Sequence, residues 1–281
     1  MTLVYKGLAD ASGNQGLQPI TTMPRLFPDP ATNRFMVVFG TGKYLGAGDN
    51  SSNAWQAIYG VRDVVPTPVP GYFSQGDLTP QYLHETTIPA GATLPDGSPD
   101  PNAGATLRCV TGSAGDTCNT ASATPTNSIP AVGQPKGGGW FVNLCTATGG
   151  ACGAAGATQT NSGERVVVNP GAIFASNTVV FETLLAGAAG SDPCNPAPQG
   201  ALMALNAVTG APAGVSSLGR WPIVGGRISN ARTSGSLPLV SALGGGQAYL
   251  PGTTLAPSGT KPLSIDAPIW RRRSWQGIQQ N

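Results

Sequence analysis

Apolar residues in this chain form short runs that are separated by glycine, proline and small polar residues. Residues 35–39, Phe-Met-Val-Val-Phe, are a continuous apolar run before a glycine and predict a strand buried on both faces. Residues 201–207 lead into Thr209 and Gly210, which predicts a strand followed by a tight turn. Such runs predict about ten strands and no helix, at residues 17–22, 35–39, 55–61, 140–144, 164–169, 178–185, 201–207, 235–242, 247–250 and 269–278.

The segment from residue 85 to 138 differs in composition from the rest of the chain. It consists mainly of Ala, Thr, Gly, Pro, Ser and Asn and has few large apolar side chains. Such a segment buries little apolar surface, and a long irregular stretch in a compact domain is commonly functional. We therefore divide the chain into residues 1–84, 85–138 and 139–281, and predict that the middle part is one long surface insertion.

The overall composition favours an all-β protein. Glycine (40) and proline (26) are abundant among the 281 residues and only 10% are charged, which excludes a helical bundle or coiled coil. The hydrophobic fraction of 40%, gathered in runs, argues against a disordered chain. The net charge of +2 gives no electrostatic reason to expect a nucleic-acid partner. No apolar stretch is long enough to predict a membrane span.

The five cysteines and single histidine argue against a zinc site, because no two cysteines have the Cys-x-x-Cys spacing. Their spacing instead suggests two small disulfide loops, Cys109–Cys118 and Cys145–Cys152, which fit an oxidising compartment. Cys194 is left over, either as a free thiol or with a partner outside this chain.

No combination of residues points to catalysis. His84 is the only histidine, no Gly-x-Ser-x-Gly elbow is present, and the acidic residues are spread over separate loops. Residues 40–43, Gly-Thr-Gly-Lys, lack the Walker A spacing, so we interpret the two glycines as backbone adaptations at the end of a strand.

Two groups of alternating oxygen-bearing residues are weak calcium candidates, and each competes with interpretation as a plain turn. Neither has the full ligand pattern of a calcium loop. The candidates are Asp10, Ser12 and Asn14, and Asp96, Asp100 and Asn102. Tryptophans on strands are expected in the core, whereas Trp221, with Arg220 and Arg227 nearby in a Gly-rich stretch, is the candidate for binding at the surface.

An ordered series of segments spans residues 14 to 277. The most specific is residues 39–45, Phe-Gly-Thr-Gly-Lys-Tyr-Leu, followed by residues 56–63, Gln-Ala-Ile-Tyr-Gly-Val-Arg-Asp. The series also includes Asp49, residues 18–24, 139–144, 163–166 and 180–183, Cys194, and residues 202–206, 209–210 and 273–275. In this order and spacing the chain resembles the C-terminal region of the PilY1/PilC family of type IV pilus tip-associated proteins.

The resemblance implies a partial quinoprotein-like β-propeller of about two to three four-stranded blades, formed by residues 1–84 and 139–281. It also implies a non-catalytic, extracellular protein at the pilus tip of a Gram-negative bacterium, acting in pilus assembly and surface attachment. The implied partners are minor pilins or other tip components, a host or abiotic surface, and the missing N-terminal half of the propeller.

The same resemblance implies no cofactor in this chain, because the calcium loop of the family lies upstream of the matching residues. The first residues of the chain do not form a signal peptide pattern, so we expect a fragment, a split gene product or a shortened homologue. Two alternative functions remain open at this point. One is a part of a quinoprotein-like dehydrogenase propeller, and the other is a secreted glycan-binding propeller.

Overall fold

The computed structural model is an all-β structure. It describes residues 18–63, 73–94, 96–100, 102–116, 118, 127–148, 158–160, 163–185, 199–213, 223–228, 241–243 and 247–249. Within these ranges the helical segments are short 3-10 turns at Ala47–Ser51, Gln75–Asp77 and Phe174–Ser176. No helix of the described residues is long and apolar enough to cross a membrane.

The strands are numbered in chain order. They are β1 (Arg25–Asp29), β2 (Arg34–Gly40), β3 (Gln56–Asp63), β4 (Thr79–Thr87), β5 (Thr106–Thr111), β6 (Gly139–Leu144), β7 (Thr146–Thr148), β8 (Thr158–Thr160), β9 (Glu164–Arg165), β10 (Gly171–Ile173), β11 (Thr178–Leu185), β12 (Gln199–Asn206), β13 (Gly225–Ile228), β14 (Ser241–Leu243) and β15 (Gln247–Tyr249).

One hydrogen-bonded path of strands divides into two antiparallel halves. The first half has the order β1-β2-β3-β6, and the second has the order β5-β13-β12-β11, with both β9 and β10 paired to β11. Strand β4 joins them, because its start pairs in parallel with β6 and its remainder pairs in antiparallel with β5. The pairs β7-β8 and β14-β15 form separate two-stranded sheets.

The main core lies between the two halves. Trp140 and Ile58 of the first half share a buried apolar cluster with Phe181 and Met203 of the second. The Trp140 ring is fully buried, and its Nε1 donates to the carbonyl of Ala207 at 3.0 Å. Two smaller clusters cover the opposite faces of the two halves. The all-β prediction is therefore confirmed, and the curled arrangement is consistent with a partial β-propeller.

The two ends of the strand path meet. Arg25 at the start of β1 donates from Nε to the carbonyl of Pro170 at 2.7 Å. The Met23 amide donates to Oδ1 of Asn169 at 2.8 Å, and the rings of Phe27 and Phe174 are 5.2 Å apart. Side chains close this seam, since no backbone ladder joins β1 to β10 among the described residues.

The prediction that residues 85–138 form only a surface insertion is wrong for β5. This strand lies in the middle of the sheet, and Leu107 and Arg108 on it are fully buried. Composition missed the strand because its apolar residues are few and a charged residue lies among them. That charge is neutralised by partners that are distant in sequence.

Other strand predictions have mixed outcomes. Residues 35–39 form a strand that is buried on both faces only towards its end, because Phe35 is 49% exposed whereas Phe39, on the same face, is buried. The turn after β12 is as predicted, because Oδ1 of Asn206 accepts the amides of Val208 at 2.9 Å and Thr209 at 3.2 Å. Residues 17–22 give one isolated bridge, at Ile20, and residues 269–278 lie outside the described residues.

Candidate functional site

The two-residue strand β9 connects the halves of the molecule through its side chains. Successive side chains of a strand point to opposite sides. Glu164 therefore reaches into the second half, and Arg165 reaches a loop of the first half. The backbone of β9 pairs with Leu184 and Leu185 of β11, which fixes both directions.

A buried charge cluster surrounds Glu164. Arg108 of β5 donates from Nη1 to Oε1 of Glu164 at 2.6 Å and from Nη2 to Oε2 at 2.7 Å. Thr183 of β11 donates from Oγ1 to Oε1 of Glu164 at 2.6 Å. Both members of the forked Arg108–Glu164 pair are fully buried. Such a geometry satisfies the guanidinium and the carboxylate together, which a buried pair requires.

A second, partly exposed pair of charged side chains, Glu85 and Arg227, lies between the buried pair and solvent. Glu85 of β4 accepts Nε of Arg108 at 2.7 Å and pairs with Nε of Arg227 at 2.7 Å. Arg227 of β13 also lies 3.6 Å from Glu164, measured from Nη1 to Oε2. The cluster thus joins four strands with two positive and two negative side chains.

These contacts set the protonation states. Burial is the largest influence and raises the pKa of a carboxyl group, but the guanidinium groups of Arg108 and Arg227 together outweigh it at both glutamates. The pKa of Glu85 is lowered, and that of Glu164 is lowered to about 2. Burial opposes the charge of Arg108 as well, but Glu164 and Glu85 raise its pKa further above neutrality. All three groups are charged near pH 7.

On the other side of β9, Arg165 holds residues 42–52, which we call the braced loop. Its guanidinium donates to three carbonyls of this loop, namely Lys43 at 3.0 Å, Asp49 at 2.7 Å and Ser52 at 2.6 Å. One rigid fork therefore replaces the backbone pairing that an irregular loop lacks.

The braced loop also has an internal support. Oδ2 of Asp49 accepts the amides of Leu45 at 2.9 Å and Gly46 at 3.0 Å, and Oδ1 lies 3.3 Å from Nζ of Lys43. The bond from the Leu45 amide is the main reason that the pKa of Asp49 is lowered. With its ends held by Arg165 and its middle by Asp49, the loop has a defined backbone.

Close packing requires glycine at positions 40 and 42, where β2 leads into the braced loop. A Cβ atom on Gly40 would lie 2.4 Å from the Val166 side chain, and one on Gly42 would lie 2.5 Å from Cβ of Arg165. Gly42 also has a φ of +140°, which other residues rarely adopt. Interpretation of residues 40–43 as a backbone adaptation is confirmed.

The predicted calcium candidates fall into turns where they are described. Oδ1 of Asp96 accepts the amide and hydroxyl of Ser98, and Oδ1 of Asp100 accepts the amide of Asn102. The Asn102 side chain is buried, and its amide atoms have no hydrogen-bond partner. Among the described residues no group of three or more His, Cys, Asp or Glu could hold a metal ion. Asp10, Ser12 and Asn14 lie outside those residues.

The predicted disulfide Cys109–Cys118 is present, with Cα atoms 5.7 Å apart. Cys145 is also disulfide-bonded, but Cys152 and Cys194 lie outside the described residues, so the second pairing stays a prediction. Trp221 and Arg220 lie outside them too. Arg227 is described, and the Glu85 carboxylate engages its guanidinium.

Sequence reasoning missed Glu164 and Arg165 as central residues, although it predicted a strand there. The available signal was the adjacent pair of opposite charges opening an apolar run in a chain with few charges. His84, the only histidine, faces Thr111, with Nε2 at 2.8 Å from Oγ1. Burial lowers its pKa, which keeps the ring neutral near pH 7.

No family model and no curated protein matches this chain. A solved structure does, the crystal structure of the Pseudomonas aeruginosa PilY1 C-terminal domain, with a TM-score of 0.54 and 18% sequence identity. The chain has the fold of part of that domain. The similarity covers 94% of this chain, so the predicted likeness to PilY1 is confirmed at the level of the fold. The chain spans 48% of the PilY1 domain structure that it matches.

Proposed function

We propose that this protein is a non-catalytic, extracellular component of the type IV pilus tip, acting in pilus assembly and surface attachment by binding. The observation that carries the proposal is the similarity to the PilY1 C-terminal domain over nearly the whole chain. A binding role also fits the layout of the molecule, because Arg108 and Glu164 neutralise each other in the interior and Arg165 holds the braced loop at the surface.

The test is a comparison of surface filaments sheared from the source bacterium and from a strain that cannot assemble pili. Peptides of this chain, or of a longer parent, are expected in the sheared fraction only when pili are present. Deletion of the gene is expected to reduce both piliation and attachment, and plasmid-borne wild-type chain should restore them.

Equal amounts in the medium of both strains would contradict the proposal. A deletion strain with normal piliation and normal attachment would contradict it as well. Calcium-dependent dye reduction by the purified chain would instead indicate a dehydrogenase.

A further inference from the structure

Four apolar side chains are exposed around the braced loop. The exposed fraction of the residue is 82% for Leu45, 56% for Met23, 49% for Ile20 and 37% for Trp55. Exposed apolar side chains that gather in one place, unlike scattered ones, mark interaction surfaces.

One backbone bridge and two side-chain hydrogen bonds join the three parts of the chain that carry these residues. Ile20 forms a parallel bridge with Gly42, and the hydroxyl of Thr21 donates to the Gly42 carbonyl at 2.7 Å. Nε2 of Gln18 donates to the carbonyl of Trp55 at 3.2 Å. We call the surface formed by Ile20, Met23, Leu45 and Trp55, together with the cations Arg25 and Lys43, the loop face.

Positively charged side chains outnumber carboxylates at the loop face. Residues 18–25 and 42–55 contain a single side-chain carboxylate, that of Asp49. It is 10% exposed, accepts two backbone amides and pairs with Lys43. Arg25 and Lys43 lie in the same segments, and Arg165 adds a third positive charge beneath the loop. The local field is therefore positive, and it favours a negatively charged partner.

We propose that the loop face binds an acidic, apolar segment of a partner protein, with Leu45 as the central anchor. The assignment rests on the proposed function, because it names the surface through which that binding occurs. An anionic membrane would share the charge preference. The braced backbone favours a protein, since a rigid surface lowers the entropy cost of docking against a partner of fixed shape.

The first test is co-sedimentation of the purified chain with sheared filaments of the source bacterium. Leu45→Asp is expected to weaken binding by about tenfold or more, as removal of a central anchor does. Lys43→Gln is expected to weaken binding less and to reduce its dependence on salt. The matched control is Val132→Asp, because Val132 is 43% exposed and lies outside the loop face; it should bind like wild type. Equal binding by wild type and Leu45→Asp would overturn the proposal.

A second test separates the loop face from the proposed function. If the wild-type chain does not sediment with filaments, the proposed pilus function is wrong. Photo-crosslinking in living cells then tests separately whether the loop face binds a partner protein. A crosslinker at position 45, compared with one at position 132, should capture a defined peptide rich in acidic and apolar residues. That peptide, synthesised, should bind wild type and not Leu45→Asp. Equal capture at both positions, no protein adduct, or Leu45-dependent binding to phosphatidylglycerol vesicles would each overturn the proposal.

Discussion

Glu164 is a carboxylate whose charge is kept in the interior by Arg108, Arg227 and Thr183. Its folded-state pKa of about 2 lies below its ordinary value of 4.5, so ionisation of Glu164 stabilises the fold above about pH 4.5. This stabilisation is lost as the pH falls from 4.5 towards 2. We expect Glu164 alone to lower the free energy of unfolding by on the order of 3 kcal/mol across this window. Urea unfolding at closely spaced pH values measures it.

The control for this prediction is Glu164→Gln, which keeps the shape of the side chain and removes its charge. Glu85, Asp49 and Asp96 also have lowered pKa values, so the variant should retain a part of the acid sensitivity. It should be less stable than wild type near pH 7 by about 3–5 kcal/mol, because it leaves Arg108 buried without its main partner. Parallel pH profiles for the two proteins would show that Glu164 is not the responsible group.

Gly60 on β3 leaves room for the core tryptophan. A Cβ atom at this position would lie 2.2 Å from Nε1 of Trp140, which is itself bonded to Ala207. We expect Gly60→Ala to destabilise the protein by about 1–3 kcal/mol, because the ring is fully buried and a shift of Nε1 would disturb its hydrogen bond to Ala207. Gly46→Ala is the matched control, since nothing lies within 4 Å of a Cβ atom there. Similar melting temperatures for both variants would contradict this account of the core.

At the level of elements, β9 is expected to control the braced loop. Arg165→Ala removes donors to the carbonyls of Lys43, Asp49 and Ser52, so amide exchange in residues 43–52 should rise while exchange in β11 changes little. Arg165→Lys should rescue the loop only in part, because an ammonium group lacks the planar fork. Hydrogen exchange followed by mass spectrometry measures both. A uniform rise over all strands would indicate general destabilisation instead.

The elements that sequence could predict were those specified by local chemistry. The turn after β12 was predictable because Asn206 bonds the amides next to it in the chain. Strand β5 was not, because burial of Arg108 depends on Glu164, which is 56 residues away. The contact between Arg165 and the braced loop could not be predicted from local sequence either, since the pairing of β9 with β11 orients the Arg165 side chain.

For the whole molecule, the seam between β1 and β10 determines whether the strand path has open edges. An unprotected edge strand is a template for pairing with another chain. Here Arg25 reaches the Pro170 carbonyl, and the Phe174 ring covers Phe27. These side-chain contacts take the place of a closing ladder, and they hold the first and second halves together at the side away from β4.

Opening this seam should therefore promote self-association. We expect the double variant Arg25→Ala with Phe174→Asp to form dimers and larger species at concentrations where the wild type does not, because the β1 edge becomes available for pairing. Sedimentation velocity over a range of protein concentrations measures this difference, and Val132→Asp again serves as a control for adding a charge at an exposed apolar position. If the double variant has the same association state and melting temperature as wild type, the seam does not protect the edge. Protection would then have to come from another contact of β1, and the Phe27 side of the core would be the next place to substitute.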